Sequence, residues 1–530
     1  MLVGAGAVVA LASSGLPMEE AQGARQAAVH SATPTLPVPA AMKPSSSPSI
    51  TALPSATPLV PLVPVVAFWS TQRSLSLHDL SRLWIGTADA FAETHYQSLA
   101  VSAAVVDPLA RALNLPPTGN LKILSTADQV KAAVRASSTT LGLLLAEEVT
   151  PDVRALAVND VSLFGYDRIK DLAQWPLLVA SGTPATFSPR NEWTLAAGGD
   201  VNLARRVYTK AVGLGYGPDY PWSAGNAVVS GFVAGGWQGA TTVVARDTGP
   251  KGALSSRLRN ADLALVNLEG PAPNDWEPGD SDSLIFTFDP ALLAGLRNAG
   301  IDAVTLANNH IRNGGDRGVV ETCQNLDAAG IAHTGAGENV GVARQPAWLG
   351  AADLLVAVLG YSDVGRDNYA TADHAGAAPL DPASVEADIH AARAAGADIV
   401  IVMPHWGEEY TDALHSEQIS EAAAFVAAGA DLVLGSHSHW VGAVQSIDRP
   451  GGPAFVDYSL GDFLFNLDHD VRSQEGVILT LTFYGKRLVQ VDLQPTVMID
   501  GAQVGLMDPA GDGHAVLDAI RRASSGLLSW

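Results

Sequence analysis

The sequence predicts an α/β protein built from more than one domain. Its 530 residues are several times the roughly 150 residues of an average domain. Hydrophobic residues make up 47% of the chain and charged residues only 16%, so it can bury large cores. From about residue 65 onward, short runs rich in Leu and β-branched residues alternate with helix-like segments. This alternation is typical of the strands and helices of α/β folds.

Charge and cysteine content exclude several classes of function. The chain has 31 Lys and Arg against 54 Asp and Glu, a net charge of −23. Because this charge repels phosphate backbones, we expect no nucleic-acid partner. Cys323 is the single cysteine, so neither a disulfide within the chain nor a thiolate zinc site can form. Any metal must therefore be bound by His, Asp, Glu or Asn.

Residues 1–64 are predicted to be a signal-like remnant followed by a linker. The apolar run at 2–12 is too short to span a bilayer and lacks a basic segment before it. It is either the remains of an export signal whose true start lies upstream or an ordinary disordered N-terminus. From 31 to 64, Pro, Ser, Thr and Ala dominate, which indicates an extended, solvated linker. Because such linkers commonly tether exported domains, we expect an exported protein of the cell envelope or extracellular space.

Residues 65–190 are predicted to form a small α/β domain. The runs VPVVAFW, LKILS, TLGLLL and VRALAV read as strands, and STADQVKAAVRAS reads as an amphipathic helix with an N-cap at its start. The segments LSLHDLSRLWIG and TLGLLLAEEVTPDVRALAV resemble part of a periplasmic solute-binding domain of the phosphate-binding type. That resemblance implies a ligand-binding lobe. The alternative is a small α/β domain with no ligand of its own.

Residues 191–500 contain polar residues at the ends of several predicted strands. WTLAAGGDVNLARR reads as a buried strand whose glycines allow a sharp turn that presents Asp200 at the carboxyl end of the sheet. ADLALVNLEGP ends in Asn267 and Glu269, which lie two residues apart and therefore share one face of an extended chain. A buried carboxylate at such a strand end favours a bound cation.

The last residues, 501–530, are predicted to be a C-terminal tail.

Three further strands repeat this plan with imidazole and amide groups. LANNH places Asn309 and His310 after a strand, and DIVIVMPHWGEEY delivers His405 at a strand end. DLVLGSHSHW delivers His437 and His439, which share one face if the chain stays extended. Two imidazoles on one edge are a good pair of metal ligands, so the five strand ends together predict a metal site.

The ordered motifs resemble those of a known family. GGDVNLARR, ADLALVNLEGP, LANNH, GIAHTGAGEN, HWGEEY, GSHSH and YSLGDFLFN are similar to the motifs of the CapA family of poly-γ-glutamate capsule-synthesis proteins, a branch of the calcineurin-like metallophosphatase superfamily. The resemblance spans about residues 192–495. It implies a four-layer α/β/β/α sandwich with a two-metal centre at the strand ends.

The resemblance also implies a role for each residue of these motifs. One ion would be held by Asp200, Glu269 and His439, and the other by Glu269, Asn309, His405 and His437, with Glu269 bridging the two. His310 would be the catalytic residue, either as the acid that protonates the leaving group or as the group that steadies the transferred phosphoryl oxygens.

Three positions depart from the family pattern. Asn202 stands where many metallophosphatases have His, Asn313 where the family usually has Asp, and Asp462 where it usually has Asn. Asn202 is a poorer ligand than His, so the first ion is expected to be held more weakly. The departures leave the main ligand set intact.

The ligand set points to phosphoester chemistry. Two divalent ions about 3.5–4 Å apart activate a water and clamp an in-line displacement at phosphorus. Oxygen and nitrogen ligands suit Mn, Fe or Zn. We therefore expect a metal-dependent hydrolase that acts in the synthesis, export or trimming of poly-γ-glutamate or a related capsule polymer. The alternative is a noncatalytic capsule-assembly or anionic-ligand-binding module with a structural metal site.

Arginines next to the first motif suggest the kind of partner. Arg205 and Arg206 are predicted to meet an anionic polymer or phosphoester substrate, with a solvated helix face as the alternative. Membrane-associated capsule machinery is a further expected partner.

Overall fold

The computed structural model describes residues 58–87, 96–180, 187–234, 241–247, 252–279, 283–528 and 530. The signal-like run and residues 31–57 of the predicted linker lie outside these residues. Residues 57–530 form one compact unit. In the described part of the chain, no helix is both long enough and apolar enough to cross a bilayer.

The N-terminal region forms a six-stranded sheet and a separate two-stranded sheet. Its strands are β1 (Leu59–Ala67), β2 (Ser74–Leu75), β3 (Ser98–Ser102), β4 (Leu121–Leu124), β5 (Thr140–Leu145), β6 (Val153–Ala155), β7 (Ala157–Val158) and β8 (Leu178–Ala180), and its helices are α1 (Leu77–Ile85), α2 (Ala103–Leu113) and α3 (Ala127–Arg135). The sheet order is β4-β3-β5-β1-β6, β8 pairs with β1, and β2 pairs with β7. The predicted strands and helices therefore exist, and Thr126 caps α3 by accepting from the Gln129 N–H.

The first strand corrects the predicted end of the linker. Strand β1 begins at Leu59, within the segment predicted to be solvated, and its residues from 60 to 66 are buried. The sequence did not predict this strand because it contains Pro61 and Pro64. Proline cannot donate a hydrogen bond to a neighbouring strand and usually interrupts strands. The buried Val60, Leu62 and Val63 beside the prolines supply the apolar surface that places it in the sheet.

The remaining strands of the chain belong mainly to two large sheets. They are β9 (Glu192–Val201), β10 (Asn226–Ala234), β11 (Thr241–Asp247), β12 (Leu263–Leu268), β13 (Ala303–Thr305), β14 (Ala332–Thr334), β15 (Ala336–Gly337), β16 (Ala347–Ala351), β17 (Leu354–Ser362), β18 (Gly376–Ala377), β19 (Ile399–His405), β20 (Leu432–Leu434), β21 (Val444–Ile447), β22 (Ala454–Asp457), β23 (Asp462–Leu464), β24 (Glu475–Tyr484), β25 (Arg487–Ile499) and β26 (Gln503–Met507).

The remaining helices pack mainly on the outer faces of those sheets. They are α4 (Arg205–Tyr208), α5 (Ala253–Asn260), α6 (Leu293–Ala299), α7 (Gly315–Ala329), α8 (Val340–Ala343), α9 (Pro382–Ala394), α10 (Ser416–Ala428) and α11 (His514–Ala523). Strand β26 and helix α11 lie within the predicted C-terminal tail. They are integral to the fold, since β26 pairs with β25 and the buried Val516 and Ile520 of α11 join the central core.

Two sheets lie face to face in the main part of the protein. The first has ten strands in the order β11-β10-β26-β25-β24-β9-β12-β13-β14, with β23 beside β9, and the second has six in the order β16-β17-β19-β20-β22-β21. Side chains alternate along the strands: Leu265 and Ile401 share the core between the sheets, whereas Val266 faces helices α5 to α7 and Val402 faces α9 and α10. Both faces of β12 and β19 are thus buried, as their continuous apolar runs predicted. The four-layer α/β/β/α sandwich is confirmed.

The glycines of the first motif have a different role from the predicted one. Gly198 and Gly199 lie inside β9 and not in a turn. A Cβ at Gly199 would overlap the carbonyl oxygen of Gly461, which accepts the N–H of Asp200 at 3.1 Å. Glycine is therefore required there because β23 approaches β9 closely beside Asp200.

Candidate metal centre

The predicted site residues meet where the carboxyl ends of the two large sheets come together. Asp200 lies at the end of β9, Glu269 directly follows β12, and Asn309 follows β13 in the first sheet. His405 ends β19 in the second sheet, and His437 and His439 follow β20. Strands β9, β12 and β13 are parallel neighbours, as are β19 and β20, so all these ends point the same way within their sheets.

Three of these residues form one buried group. A ligand atom of Asp200, one of Glu269 and one of His439 all lie within 4.8 Å of one another, and all three residues are buried. Asp200 is held in place on both sides, because Asn267 Nδ2 donates to its Oδ1 at 2.7 Å and the His437 N–H donates to its Oδ2 at 3.1 Å.

Glu269 is the carboxylate that most clearly calls for a cation. Its side chain is fully buried, yet neither carboxylate oxygen has a hydrogen-bond partner among the described residues. Burial, together with the nearby Asp200, raises the pKa of Glu269 well above its usual range, and burial likewise raises the pKa of Asp200. A buried carboxylate without a partner is costly, and a divalent ion removes that cost. The residues present therefore fit a metal ion.

A second group contains the other imidazoles. His405 Nε2 lies 2.8 Å from Asn309 Oδ1, 3.1 Å from His437 Nδ1 and 3.9 Å from Glu269 Oε1. Ligand atoms bound at about 2.1 Å to one ion and at right angles lie about 3 Å apart, so this spacing suits a shared ion. Glu269 lies next to both groups.

The two imidazoles of this group are held in the neutral form that metals bind. Burial lowers the pKa of His437 to about 3 and lowers the pKa of His405 well below its usual range. Ser436 Oγ lies 2.9 Å from His405 Nδ1, which fixes the ring with Nε2 towards Asn309 and Glu269. Each imidazole thus offers a lone pair without having to lose a proton.

His439 differs from the other two, and the reason is Asp462. Its Nδ1 lies 2.9 Å from Asp462 Oδ1 and 3.9 Å from Asp200 Oδ2. Although burial favours the neutral ring, contact with Asp462 and the nearby Glu269 and Asp200 raises the pKa of His439 to about 10. Burial raises the pKa of Asp462 to about 7. Asp462 therefore orients the His439 ring through Nδ1.

The backbone at the two histidines departs from the predicted extended conformation. His437 has φ of 101° and His439 has φ of 58°, values that non-glycine residues rarely adopt. Strain of this kind costs about 1–3 kcal/mol per residue and collects at functional sites. The two side chains reach the site through this strained turn and not along one face of a strand.

His310 lies beside the carboxylates but is not among the ligand atoms of either group. Its Nδ1 is 3.0 Å from Asn313 Oδ1, and its Nε2 is 3.9 Å from Glu269 Oε1. The Phe286 N–H also donates to Asn313 Oδ1 at 2.8 Å, so that atom is an acceptor and His310 Nδ1 must donate to it. Burial lowers the pKa of His310 to about 4, so the ring is neutral at neutral pH with Nε2 unprotonated.

The two predicted substrate arginines point in different directions. The Arg205 guanidinium lies 4.9 Å from the centre of the Phe286 ring, and that ring is 4.4 Å from the His310 ring. Arg206 instead faces the carboxylates of Asp468 and Asp500, each at 3.6 Å. The structure thus places Arg205 next to the site and pairs Arg206 with acidic residues.

The sequence motifs contain Asn267 and Asp462 but did not predict that they position the ligands. Asn308 Nδ2 donates to Asn267 Oδ1 at 3.2 Å, and Asn267 in turn holds Asp200, so two amides connect adjacent strand ends. Asn202 uses its Oδ1 to accept the Ala204 N–H at 2.9 Å. Asp462 and Asn308 belong to the motifs YSLGDFLFN and LANNH. Their positioning role follows from their burial beside the ligands, which is visible only in the folded structure.

A protein-family comparison identifies the larger part of the chain. Residues 194–467, just over half of the chain, match the model described as "Bacterial capsule synthesis protein PGA_cap". The chain belongs to this family. The match covers every candidate ligand above, from Asp200 to His439.

Curated relatives are similar over the same part. The chain is 30% identical over 223 residues to the capsule biosynthesis protein CapA of Bacillus anthracis, covering 40% of this chain and 53% of that protein. It is 28% identical over 213 residues to the PGA biosynthesis protein CapA of Bacillus subtilis, covering 39% and 54%. The chain thus spans about half the length of the curated relatives it matches.

Solved structures show more distant likeness. The calcineurin-like phosphoesterase YfkN of Bacillus subtilis matches at 12% identity and a TM-score of 0.33, covering 62% of this chain and 99% of that one. The 5'-nucleotidase precursor of Thermus thermophilus matches at 14% identity and a TM-score of 0.33, covering 63% and 58%. At these scores neither structure supports a statement about the chemistry of this chain.

Proposed function

We propose that this PGA_cap family member is a metal-dependent phosphoester hydrolase that acts in the synthesis, export or trimming of poly-γ-glutamate or a related anionic polymer. The observation that carries the proposal is Glu269, a buried carboxylate with no hydrogen-bond partner among the described residues, lying between Asp200 on one side and His405 on the other. A purely structural carboxylate at that depth would normally be hydrogen-bonded.

The proposed cofactor is a pair of divalent ions. Asp200, Glu269 and His439 would hold one, and Glu269, Asn309, His405 and His437 the other. Mn, Fe and Zn all suit this mixture of oxygen and nitrogen ligands. When bound, such ions supply an activated water and neutralise charge on the phosphoryl oxygens.

The surrounding residues would keep the ligands in the required form. Asn267 and the His437 N–H hold both oxygens of Asp200, so that carboxylate cannot rotate away. Ser436 and Asp462 fix the rings of His405 and His439 through Nδ1. Because these partners set ring orientation, their loss typically lowers metal affinity or activity by about 10–100-fold.

The proposed role of His310 centres on its Nε2 atom. In the free chain Asn313 holds the proton on Nδ1, so Nε2 is ready to accept one. A doubly charged phosphoryl group next to the ring would favour the imidazolium. With Nε2 protonated, His310 either donates to the leaving oxygen or hydrogen-bonds the phosphoryl oxygens, while Arg205 adds positive charge on the same side.

The partners and location also form part of the proposal. An anionic polymer or phosphoester would enter beside Arg205, and membrane-associated capsule machinery would bring the chain to its substrate. We propose that the protein works in the cell envelope or outside the cell, as a role in capsule synthesis requires.

The test combines metal analysis with an activity assay on the full chain. Protein purified without chelator should hold at least one transition metal per chain after mild dialysis and should hydrolyse a generic phosphomonoester or phosphodiester. Chelator should abolish turnover, and added Mn, Fe or Zn should restore it. Metal without any turnover would favour a noncatalytic capsule-assembly or anion-binding module, and a folded sample without metal would overturn the site itself.

A further inference from the structure

A second buried charged cluster lies where the N-terminal sheet covers the ten-stranded sheet. Asp492 of β25 contacts the guanidinium groups of Arg73, Arg154 and Arg257, which come from the loop after β1, from β6 and from α5. The contact of Arg257 Nη2 with Asp492 Oδ2 is 3.1 Å. Asp492 pairs through Thr480 with Ala196 of β9, four residues before Asp200, so this cluster is set back from the candidate metal centre.

The sheet face beneath the cluster is polar although it is covered. Thr480, Thr482, Gln490, Asp492 and Gln494 project from β24 and β25 on one face, and the alternate residues of both strands join the core between the two large sheets. A sheet face packed against another layer is normally apolar. Gln490 accepts the Ala155 N–H at 2.9 Å and Gln494 donates to the Met507 carbonyl at 2.6 Å, so packing accounts for these two, whereas the Thr480 hydroxyl has no partner among the described residues.

A cavity of about 260 Å³ lies beside these contacts, between this face and the covering residues. Its walls include the three arginines and the stretch from Ser162 to Asp167 of the N-terminal region. The volume is several times the roughly 30 Å³ that one water molecule occupies in the liquid, so a small polar molecule fits. We call this space the arginine cavity.

Positive charge dominates the inner part of the arginine cavity. Three guanidinium groups meet one inner carboxylate, Asp492, and the only other acidic residue that lines the cavity among the residues that the structure describes, Asp167, is exposed at the rim. Arg154 and Arg257 are more than nine-tenths buried. Burial and the charge of Arg73 lower the pKa of Arg154 to about 10, which is the direction expected where cations exceed anions.

Several donors around the cavity are unused. Within the described part of the chain, Nε of Arg154, both Nε and Nη1 of Arg257, and the hydroxyl of Thr480 are buried without a hydrogen-bond partner. The Tyr166 ring lies 4.4 Å from the Arg257 guanidinium carbon and fixes its plane. Buried guanidinium donors without acceptors are costly, and an oxyanion bound by the same guanidinium groups would offset that cost.

We propose that the arginine cavity is a second ligand site, distinct from the metal centre, that binds a small oxyanion carrying a phosphate or carboxylate group. Guanidinium forks match both groups in bidentate geometry, and the Thr480 hydroxyl adds a neutral donor. The proposal does not depend on hydrolytic activity, because none of its residues belongs to the candidate metal centre.

The test measures binding to the full chain after chelator treatment, so that no metal contributes. Calorimetric titrations use inorganic phosphate in one arm and L-glutamate in the other. Wild type should bind at least one of them at a single saturable site. Tighter binding of phosphate would assign the site to phosphorylated ligands, and tighter binding of glutamate would assign it to carboxylates. No saturable binding of either would overturn the proposal.

Two variants and a matched control locate the binding. Arg257→Gln should weaken binding about tenfold to a hundredfold, because a charged hydrogen-bond donor is lost. Arg259→Gln removes the same charge from an exposed position of the same helix and should bind as wild type does. Equal affinity of Arg257→Gln and Arg259→Gln would place the anion elsewhere.

Thr480→Val is a second test of the site that remains informative if Arg257→Gln fails to fold. The Thr480 hydroxyl has no partner among the described residues, so its removal breaks no hydrogen bond of the free protein. We expect about threefold to tenfold weaker binding with an unchanged melting temperature. Unchanged affinity in Thr480→Val together with Arg257→Gln would contradict a ligand in this cavity.

Discussion

The candidate metal centre and the arginine cavity place the same kind of residue in opposite electrostatic surroundings. Asp200 and Asp492 are both aspartates on strands of the ten-stranded sheet. Burial raises the pKa of Asp200, whereas three guanidinium groups outweigh burial and hold the pKa of Asp492 well below its usual range. The first site therefore has carboxylates that call for a cation. The second site has three guanidinium groups and one inner carboxylate, so its excess positive charge favours binding of an anion.

The largest expected effect separates ligand from catalytic residue at the metal centre. His437→Ala should lose bound metal and with it all chelator-sensitive turnover, because His437 Nδ1 is one of the converging ligand atoms. His310→Ala should keep its metal and lower turnover by about two to four orders of magnitude, the usual span for a positioned acid or base. Metal content by mass spectrometry and steady-state rates check both variants. Equal metal loss in the two would show that these roles were assigned wrongly.

The next effect tests how strongly the arginine cavity depends on its one inner carboxylate. Asp492→Asn leaves three guanidinium groups without their shared partner, and breaking a buried pair costs about 3–5 kcal/mol. Asp500→Asn is the control, because that residue pairs with Arg206 and Lys210 at a half-exposed position. Urea unfolding should show a large loss for the first variant and less than about 1 kcal/mol for the second. Similar losses would mean that Asp492 is as weakly coupled as a surface ion pair.

The two sites also differ in how much of each could be predicted from the sequence. The metal ligands follow apolar strands in short contiguous motifs, and parallel strands bring their carboxyl ends to one edge, so Asp200, Glu269 and His405 could be predicted to meet. Arg73, Arg154, Arg257 and Asp492 come from four distant segments. Only the tertiary fold brings them together.

Local sequence patterns also led to wrong predictions in two places. The alternation of polar and apolar residues around Asp492 is the pattern of a strand with one solvent-facing side. The N-terminal sheet covers that side, which no local pattern reports. Likewise, prolines at 61 and 64 indicated a linker, although the valines and leucines around them form a buried strand. Local periodicity predicted the strands but not what packs on each face.

A pH titration of stability sharpens the difference between the two aspartates. Because the folded-state pKa of Asp492 is depressed, its stabilising contribution is complete above its unfolded-state pKa of about 3.9 and is lost as the pH falls towards the folded-state value. The difference in unfolding free energy between wild type and Asp492→Asn should therefore shrink from about pH 5 to about pH 2. A difference that stays constant over this range would show that the carboxylate is not the charged partner of the three arginines.

The smallest expected effect compares the two neighbouring arginines of the first motif. Arg205 lies against Phe286, whose ring contacts His310, whereas Arg206 faces Asp468 and Asp500. A charge next to the reacting group stabilises an anionic substrate, but a charge already paired at the half-exposed surface contributes little. Arg205→Gln should therefore raise KM about tenfold, since a charge-assisted contact is lost, while Arg206→Gln should change it less than about twofold. Steady-state kinetics at low salt check this order. A larger effect of Arg206→Gln would mean that the substrate approaches from the side of Asp468 and Asp500, and that positive charge there, and not at Arg205, draws the anion towards the metal centre.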